Sequence, residues 1–185
     1  MKNGLIFSIV LLFFISCKNK SELASEFDCH FNFSNSELKT LTDINKNYSI
    51  SIPNHWKISY YYDEYQSDIY VADTLKSLTS TYILNFSNKK GTLLLDENFK
   101  NKIHSELLEN GLEVIKDKKL QNKENSSYYI YAKGTRNQFS YCQIQLYKPL
   151  DNHSFFDIKI EIYGDQQLEE RICEAIHYIE LLQIH

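Results

Sequence analysis

Glycine and proline are scarce in this chain of 185 residues, which contains five Gly and two Pro. A collagen-like repeat and a long Pro/Gly-rich linker both need many more of these residues, so both classes are excluded. The sequence also contains no glycine-rich loop of the kind that cradles a phosphate group. The remaining composition, with 43% hydrophobic residues, is typical of a domain with a sizeable core.

Positive charge is also in short supply. The chain has 20 Lys and Arg against 24 Asp and Glu, a net charge of -4. Removal of residues 1–16, which carry one Lys and no acidic residue, would change that net charge from -4 to -5. The sequence also shows no stripe of basic residues that would form a local positive surface. Nucleic acid and anionic lipid headgroups are therefore not expected as the main partners.

Recognisable catalytic and metal-binding motifs are missing as well. The six histidines lack the spacing of a metal site, and no Gly-x-Ser-x-Gly elbow occurs. Residues 151–154 include Asp, His and Ser, but sequence neighbours rarely converge on one reacting atom, so we interpret them as a polar turn after Pro149. We therefore predict no catalytic residue, no metal site and no cofactor. The histidines are His30, His55, His104, His153, His177 and His185.

The N-terminus is where a long apolar run does occur. One early Lys precedes apolar residues 5–15, a run shorter than the roughly 20 residues that span a bilayer, which indicates an export signal. The following Phe-Ile-Ser-Cys resembles a bacterial lipobox, with mild departures at Phe14 and Ile15. We predict a lipoprotein signal peptide over residues 1–16, lipidation of Cys17, and a tether over residues 17–33. The expected location is the bacterial envelope, at the outer membrane facing the periplasm; an ordinary secreted protein is the alternative.

Three further cysteines follow Cys17: Cys29, Cys142 and Cys173. An oxidising compartment permits one disulfide among them, and spacing alone does not select the pair. Cys173 falls on the flank of the apolar stripe of the predicted last helix, where an N-terminal arm could reach it. We therefore favour Cys29 with Cys173; the alternative is three unpaired buried thiols.

Residues 34–185 are expected to form a single domain. Alternation of apolar and polar residues predicts strands, and i, i+4 spacing predicts helices. Polar residues 18–28 predict a tether without fixed structure, and the capping-box spacing of Ser34 and Glu37 predicts a brief helix through Leu41. The predicted strands cover 48–52, 81–87, 114–120, 128–133, 142–147 and 155–163, and the predicted helices cover 96–110 and 168–182.

Five tyrosines lie close together between residues 60 and 70, interleaved with acidic residues. Some of their rings must be exposed or lie under another layer, because neighbouring strand residues point to opposite faces. They predict a surface for a peptide, a glycan or a protein; cross-strand aromatic pairing that stabilises the sheet is the alternative. This tyrosine cluster consists of Tyr60, Tyr61, Tyr62, Tyr65 and Tyr70.

The strand-Pro-x-x-Trp opening at residues 48–56, the helix at 96–110, the hairpins and the terminal helix together resemble the PsbP-like family. The chain departs from that pattern in lacking Gly-rich turns around residues 122–127. The resemblance implies an α+β fold, with an antiparallel sheet of about six to seven strands packed with helices as an α/β/α sandwich. It also implies binding or assembly more than catalysis, and it carries over no functional residue.

These observations favour a non-enzymatic, lipid-anchored envelope protein that binds or assembles with a protein partner. Its contact surface is expected at the tyrosine cluster or at the polar sheet face that carries Asp157, Lys159 and Glu161. One specific form is an immunity lipoprotein that neutralises a toxin. The alternative is an envelope hydrolase whose site forms only in the folded chain.

Overall fold

The computed structural model of the chain describes residues 20–31, 37–121 and 126–185. Two antiparallel sheets and three α-helices form these parts of the chain. The elements in order are α1 (Glu22–Glu26), β1 (Leu38–Thr42), β2 (Tyr48–Pro53), β3 (Lys57–Tyr62), β4 (Gln66–Ala72), a 3₁₀ helix (Leu78–Ser80), β5 (Tyr82–Lys90), α2 (Glu97–Glu109), β6 (Leu112–Gln121), β7 (Ser126–Arg136), β8 (Phe139–Pro149), β9 (Ser154–Tyr163), α3 (Leu168–Glu180) and β10 (Gln183–Ile184).

The main sheet has seven strands in the order β3-β4-β5-β9-β8-β7-β6, and every neighbouring pair is antiparallel. The predicted α+β class and the predicted strand number are confirmed. The four strands predicted at the end of the domain form the meander β6 to β9, and the strand predicted over 81–87 is β5.

The two faces of this sheet differ in character. Along β9, Ile158 and Ile160 point to one side and are each 1% exposed, whereas Asp157, Lys159 and Glu161 alternate with them and point to the other side. We call the first side the closed face and the second the open face. Burying one such isoleucine contributes about 1.5 to 3 kcal/mol, so the closed face accounts for much of the domain's stability.

The closed face is covered by α3, by α1 and by a smaller sheet of order β1-β2-β10. Helix α3 contributes the predicted apolar stripe, including Ile172, Ala175 and Ile176. Strand β2 is the strand expected from the opening motif, but it lies in this second sheet, which the sequence did not predict. Its Tyr48 is fully buried and its hydroxyl donates to the carbonyl of Phe86 at 2.7 Å.

Trp56 follows β2 after a turn and folds back over the closed side, as expected. It is 4% exposed, and its ring packs edge-on against Tyr82 and Tyr178 at centroid distances of 5.4 and 4.9 Å. Aromatic pairs in this arrangement stabilise a core beyond their buried area. Trp56 is therefore an anchor of the core and is not free to contact a ligand.

Helix α2 covers only part of the open face. Asp96 caps it by accepting a hydrogen bond from the Phe99 amide at 2.8 Å, and Ile103 and Leu107 form its buried side. These residues pack on β6, β7 and β8, in a cluster that includes Ile130 and Ala132. The open face over β4, β5 and β9 therefore has no helix above it among the described residues.

Two local predictions were wrong. Residues 38–42 form strand β1, not the end of a brief helix, because they pair with β2 and include the β-branched Thr40 and Thr42. Part of the expected tether is the helix α1, whose Leu23 and Ala24 are buried in the core. Residues 1–19, which include the predicted signal peptide and Cys17, lie outside the described residues, as do residues 32–36 and 122–125.

A disulfide joins Cys29, just after α1, to Cys173 of α3, the pair favoured from the sequence. Cys142 is unpaired on the closed face, and burial raises the pKa of its thiol to about 11. A thiol that stays protonated at neutral pH is a poor nucleophile, so Cys142 acts as a small core residue.

Arg171 is a buried cation that the sequence did not reveal. It lies in the first turn of α3 and is 4% exposed. Its guanidinium donates to the carbonyls of Thr81, Tyr163 and Gly164 at 3.0, 2.9 and 2.7 Å. Arg171 thereby fastens the start of α3 to the ends of β5 and β9.

Candidate functional site

A cleft of about 990 Å³ lies between α2 and the uncovered part of the open face. One wall is the side of α2 that carries Phe99, Ile103 and Leu107, and the floor is formed by β5, β8 and β9. Its volume is at the upper end of the range for small-molecule sites. We call it the open-face cleft.

A row of polar side chains forms the floor of the cleft. The Gln143 amide donates to the Gln145 carbonyl oxygen at 2.9 Å, and the Gln145 amide donates to Asp157 at 2.6 Å. Lys89 completes the row by donating to the other oxygen of Asp157 at 2.6 Å. Gln143, Gln145 and Asp157 are each no more than 8% exposed. Their mutual hydrogen bonds offset the free energy of burying them.

The row continues at its other end through Tyr141. Its hydroxyl donates to Glu161 at 2.6 Å and lies 3.2 Å from the Gln143 side-chain oxygen. Arg136 donates to the same Glu161 oxygen at 2.9 Å. Burial and the hydrogen bond to Glu161 raise the pKa of the Tyr141 hydroxyl, so it remains a donor at neutral pH.

Asp68 of β4 is a further buried carboxylate on the open face. It accepts hydrogen bonds from Ser87, and from Tyr70 and Gln66 at 3.3 Å each. Burial raises the pKa of its carboxyl, because removal from water disfavours the charged form.

Two groups on the floor have no partner among the described residues. The side-chain oxygen of Asn85 is buried and accepts no hydrogen bond. Lys159 lies opposite Asn85 in the β5–β9 ladder, lines the cleft, and has no carboxylate within ion-pair distance. A buried acceptor without a donor is costly, and because Asn85 lines the cleft, rotation of its side-chain amide would present this oxygen to a ligand donor.

The tyrosine cluster does not form one surface. Tyr70 lines the open-face cleft, and Tyr61, on the edge strand β3, shares its face. Tyr60 and Tyr62 point to the opposite face, and Tyr65 lies in the turn between β3 and β4. All five are 36% exposed or more, which leaves Tyr61 and Tyr70 as the members placed to reach a ligand in the cleft.

Residues 151–154 and His104, to which the sequence assigned no site role, lie elsewhere. Residues 151–154 form the local turn expected before β9, in which Asp151 accepts from the His153 amide at 2.7 Å and from the Ser154 hydroxyl at 3.1 Å. His104 lies outside the cleft, with its ring 3.3 Å from the Tyr128 hydroxyl. In the described ranges, no three His, Cys, Asp or Glu side chains are arranged to hold a metal ion.

Sequence reasoning found Asp157, Lys159 and Glu161 but missed their neighbours on β5 and β8. The signal was present on β8, where Tyr141, Gln143, Gln145 and Tyr147 alternate with Cys142, Ile144 and Leu146. The same alternation used for β9 places both glutamines on the open face. The positions of Asn85 and Lys89 depended on the strand order, which periodicity does not give.

No helix in the described part of the chain is long and apolar enough to cross a membrane. No family model and no curated protein sequence matches the chain.

Solved structures that are similar in three dimensions include the following two. Cyanobacterial PsbP from Synechocystis sp. PCC 6803 is 9% identical and has a TM-score of 0.56, over 84% of this chain and 97% of that one. The Ran-binding protein Mog1p of Saccharomyces cerevisiae is 9% identical and has a TM-score of 0.54, over 80% and 96%. Identity this low bears on the fold alone. The resemblance deduced from the sequence is thus confirmed at that level: the chain has a PsbP-like fold.

Proposed function

We propose that this protein is a lipid-anchored, non-catalytic binding protein of the bacterial envelope that holds its ligand in the open-face cleft. The observation that carries the proposal is the row from Lys89 through Asp157, Gln145 and Gln143 to Tyr141. It places fixed hydrogen-bonding groups on the floor of a concave surface.

Such a row is not needed for stability alone. Replacing a satisfied polar network by apolar residues of similar shape is often neutral or stabilising. On the closed face, the same strands carry apolar side chains and support the core. The polar row is therefore better explained by what it offers to a ligand, which is a set of pre-oriented donors and acceptors.

The chemistry of the cleft supports binding over hydrolysis. Hydrolysis by a covalent route needs a nucleophile within hydrogen-bond reach of a base. The described residues that line the cleft include no histidine and no cysteine. Its carboxylates Asp157 and Glu161 are each held by a cation. These features favour recognition and disfavour the hydrolase alternative.

The lipid anchor and the envelope location are proposed from residues 1–17. Helix α1 lies against the closed side of the domain, so an anchor reached through it would leave the open face directed away from that attachment. A toxin-immunity role is one specific form of the proposal and stays a prediction, because no described residue identifies a toxin as the partner.

Capture from envelope extracts tests the proposed surface. The double variant Tyr61→Ala/Tyr70→Ala changes two rings on the cleft side, and Tyr60→Ala/Tyr62→Ala is its matched control on the opposite side. We expect the first variant to lose the envelope component retained by the unaltered chain, and the control to retain it. Equal capture by both variants would contradict the proposed surface, provided that thermal unfolding shows both to be folded.

A further inference from the structure

Nearly all charged side chains that line the open-face cleft form ion pairs with one another. Lys89 binds Asp157 at 2.6 Å, Arg136 binds Glu161 at 2.9 Å, and Lys102 lies 3.8 Å from Glu106. Lys159 is the cation left over in this lining. The cleft therefore has one uncompensated positive charge at the centre of its floor, although the chain as a whole has a net charge of -4.

An uncompensated cation in a partly enclosed site favours an anion. Interactions between charges strengthen as water is excluded, so a carboxylate brought to Lys159 would be bound more strongly than on an open surface. With a neutral ligand in the cleft, the charged amine of Lys159 would have only solvent to interact with. The charge balance thus favours ligands that place an acidic group at Lys159.

The neighbouring Asn85 adds a second requirement. Asn85 and Lys159 are direct partners in the β5–β9 ladder, and the Asn85 side-chain oxygen has no donor. Directly opposed residues of an antiparallel pair lie about 5 Å apart at Cβ. The ligand should therefore carry a hydroxyl or N–H donor within a few ångströms of its acidic group.

The rest of the lining identifies the kind of molecule. The lining also includes the side-chain amides of Gln143 and Asn98 and the aromatic rings of Tyr70, Phe99 and Phe155. A pyranose ring matches this combination, because it presents C–H faces that pack on aromatic rings and a rim of hydroxyls that both donate and accept hydrogen bonds. The volume of about 990 Å³ accommodates more than one sugar unit.

We propose that the open-face cleft binds an acidic saccharide, with a uronate carboxylate on Lys159 and an adjacent hydroxyl donating to the Asn85 side-chain oxygen. This rests on the proposed binding function and names the class of its ligand. Tyr70 and Phe99 flank the sugar rings, and the paired charges at Asp157 and Glu161 keep the floor rigid.

Isothermal titration calorimetry of the full chain tests this with three probes: tetragalacturonate, neutral maltotetraose, and tetra-alanine with a free C-terminal carboxylate. We expect saturable binding of tetragalacturonate and at least tenfold weaker binding of the other two. Lys159→Gln should weaken tetragalacturonate binding about tenfold, the effect of losing one charge-assisted hydrogen bond. Asn85→Leu should weaken it by a smaller factor.

Lys119→Gln is the matched control, because it removes the same charge from β6 outside the open-face cleft. It should bind as tightly as the unaltered chain, and an equal loss in both Lys variants would overturn the assignment of Lys159. Binding of maltotetraose as tight as that of tetragalacturonate would overturn the acidic requirement. Preferential binding of tetra-alanine, dependent on Lys159, would make the cleft a peptide-carboxylate site and overturn the saccharide.

The failure of this inference is distinguishable from failure of the proposed function. If no saccharide binds but the Tyr61→Ala/Tyr70→Ala variant still loses its envelope component, the cleft binds another ligand and only the saccharide assignment is wrong. If neither experiment responds to changes in the cleft, both proposals are overturned.

Discussion

The closed and open faces of the main sheet are made by the same strands, but one face packs into the apolar core and the other lines a polar cleft. On the closed face Phe156, Ile158 and Ile160 are at most 1% exposed and lie under α3 and the small sheet. On the open face Asp157 and Lys159 alternate with them beneath a cleft. The comparison teaches that alternation along a strand places core residues and polar cleft residues next to each other in the sequence, so residues adjacent in sequence should respond differently to substitution.

The faces also treat carboxylates differently. Glu26 of α1, on the closed side, is bound by Lys116 at 2.6 Å, Lys118 at 2.5 Å and the Tyr129 hydroxyl at 2.9 Å. Hydrogen bonds from the two lysines lower its pKa to about 2. Asp68 on the open face has no cation within ion-pair distance among the described residues, and burial raises its pKa. Ionised Glu26 therefore stabilises the fold, whereas ionisation of Asp68 lowers the stability of the fold.

The largest effect is expected from Trp56→Ala on the closed side. Loss of a buried indole leaves a cavity next to Tyr82 and Tyr178 and should lower the free energy of unfolding by about 3 to 5 kcal/mol. Urea unfolding followed by circular dichroism measures this. Tyr70→Ala on the open face is the comparison, and because Tyr70 is 36% exposed it should cost less than about 1 kcal/mol. Similar losses in the two variants would break the distinction between the faces.

An intermediate effect is expected from Glu26→Gln. The difference between the ordinary pKa of 4.5 and a folded value of about 2 converts to about 3 kcal/mol, and solvent screening reduces this to about 2 kcal/mol. Because the folded pKa is lowered, this stability is fully present above pH 4.5 and is lost as the pH falls towards 2. Unfolding free energies at pH 7 and pH 2.5 should therefore differ less in Glu26→Gln than in the unaltered chain.

Glu113→Gln on β6 is the control for this pH dependence, because Glu113 is exposed. It should leave the unfolding free energy within about 0.5 kcal/mol of the unaltered value. A Glu26→Gln variant as stable as Glu113→Gln at pH 7 would show that the lysine contacts contribute nothing measurable.

The sequence predicted most strands of the main sheet because they alternate apolar and polar residues, and it predicted α2 from its apolar stripe and its cap at Asp96. It failed where tertiary contacts override local pattern. Thr40 and Thr42 belong to a strand because β1 pairs with β2, and the segment around Leu23 is helical because Leu23 packs into the core. Only part of the candidate site was predicted. Periodicity identifies the sheet face on which Lys159 lies. It does not show that Asn85 lies opposite Lys159, because that depends on the strand order, in which β9 lies between β5 and β8.

The smallest effect, and the sharpest contrast with Glu26, is expected from Asp68→Asn. A raised folded pKa means that the native state holds its proton more tightly than the unfolded chain, so stability falls as the pH rises from the ordinary Asp value through the folded one. Asparagine carries no charge, so it avoids the cost of burying an ionised carboxylate, and its side-chain oxygen can still accept the hydrogen bond from Ser87. The melting temperature of the variant should therefore be higher than that of the unaltered chain at pH 7 and equal to it at pH 3. Calorimetric melting at both pH values measures the difference. A lower melting temperature for Asp68→Asn at pH 7 would mean that the hydrogen bonds to the ionised carboxylate outweigh its desolvation, and that both faces stabilise their carboxylates alike.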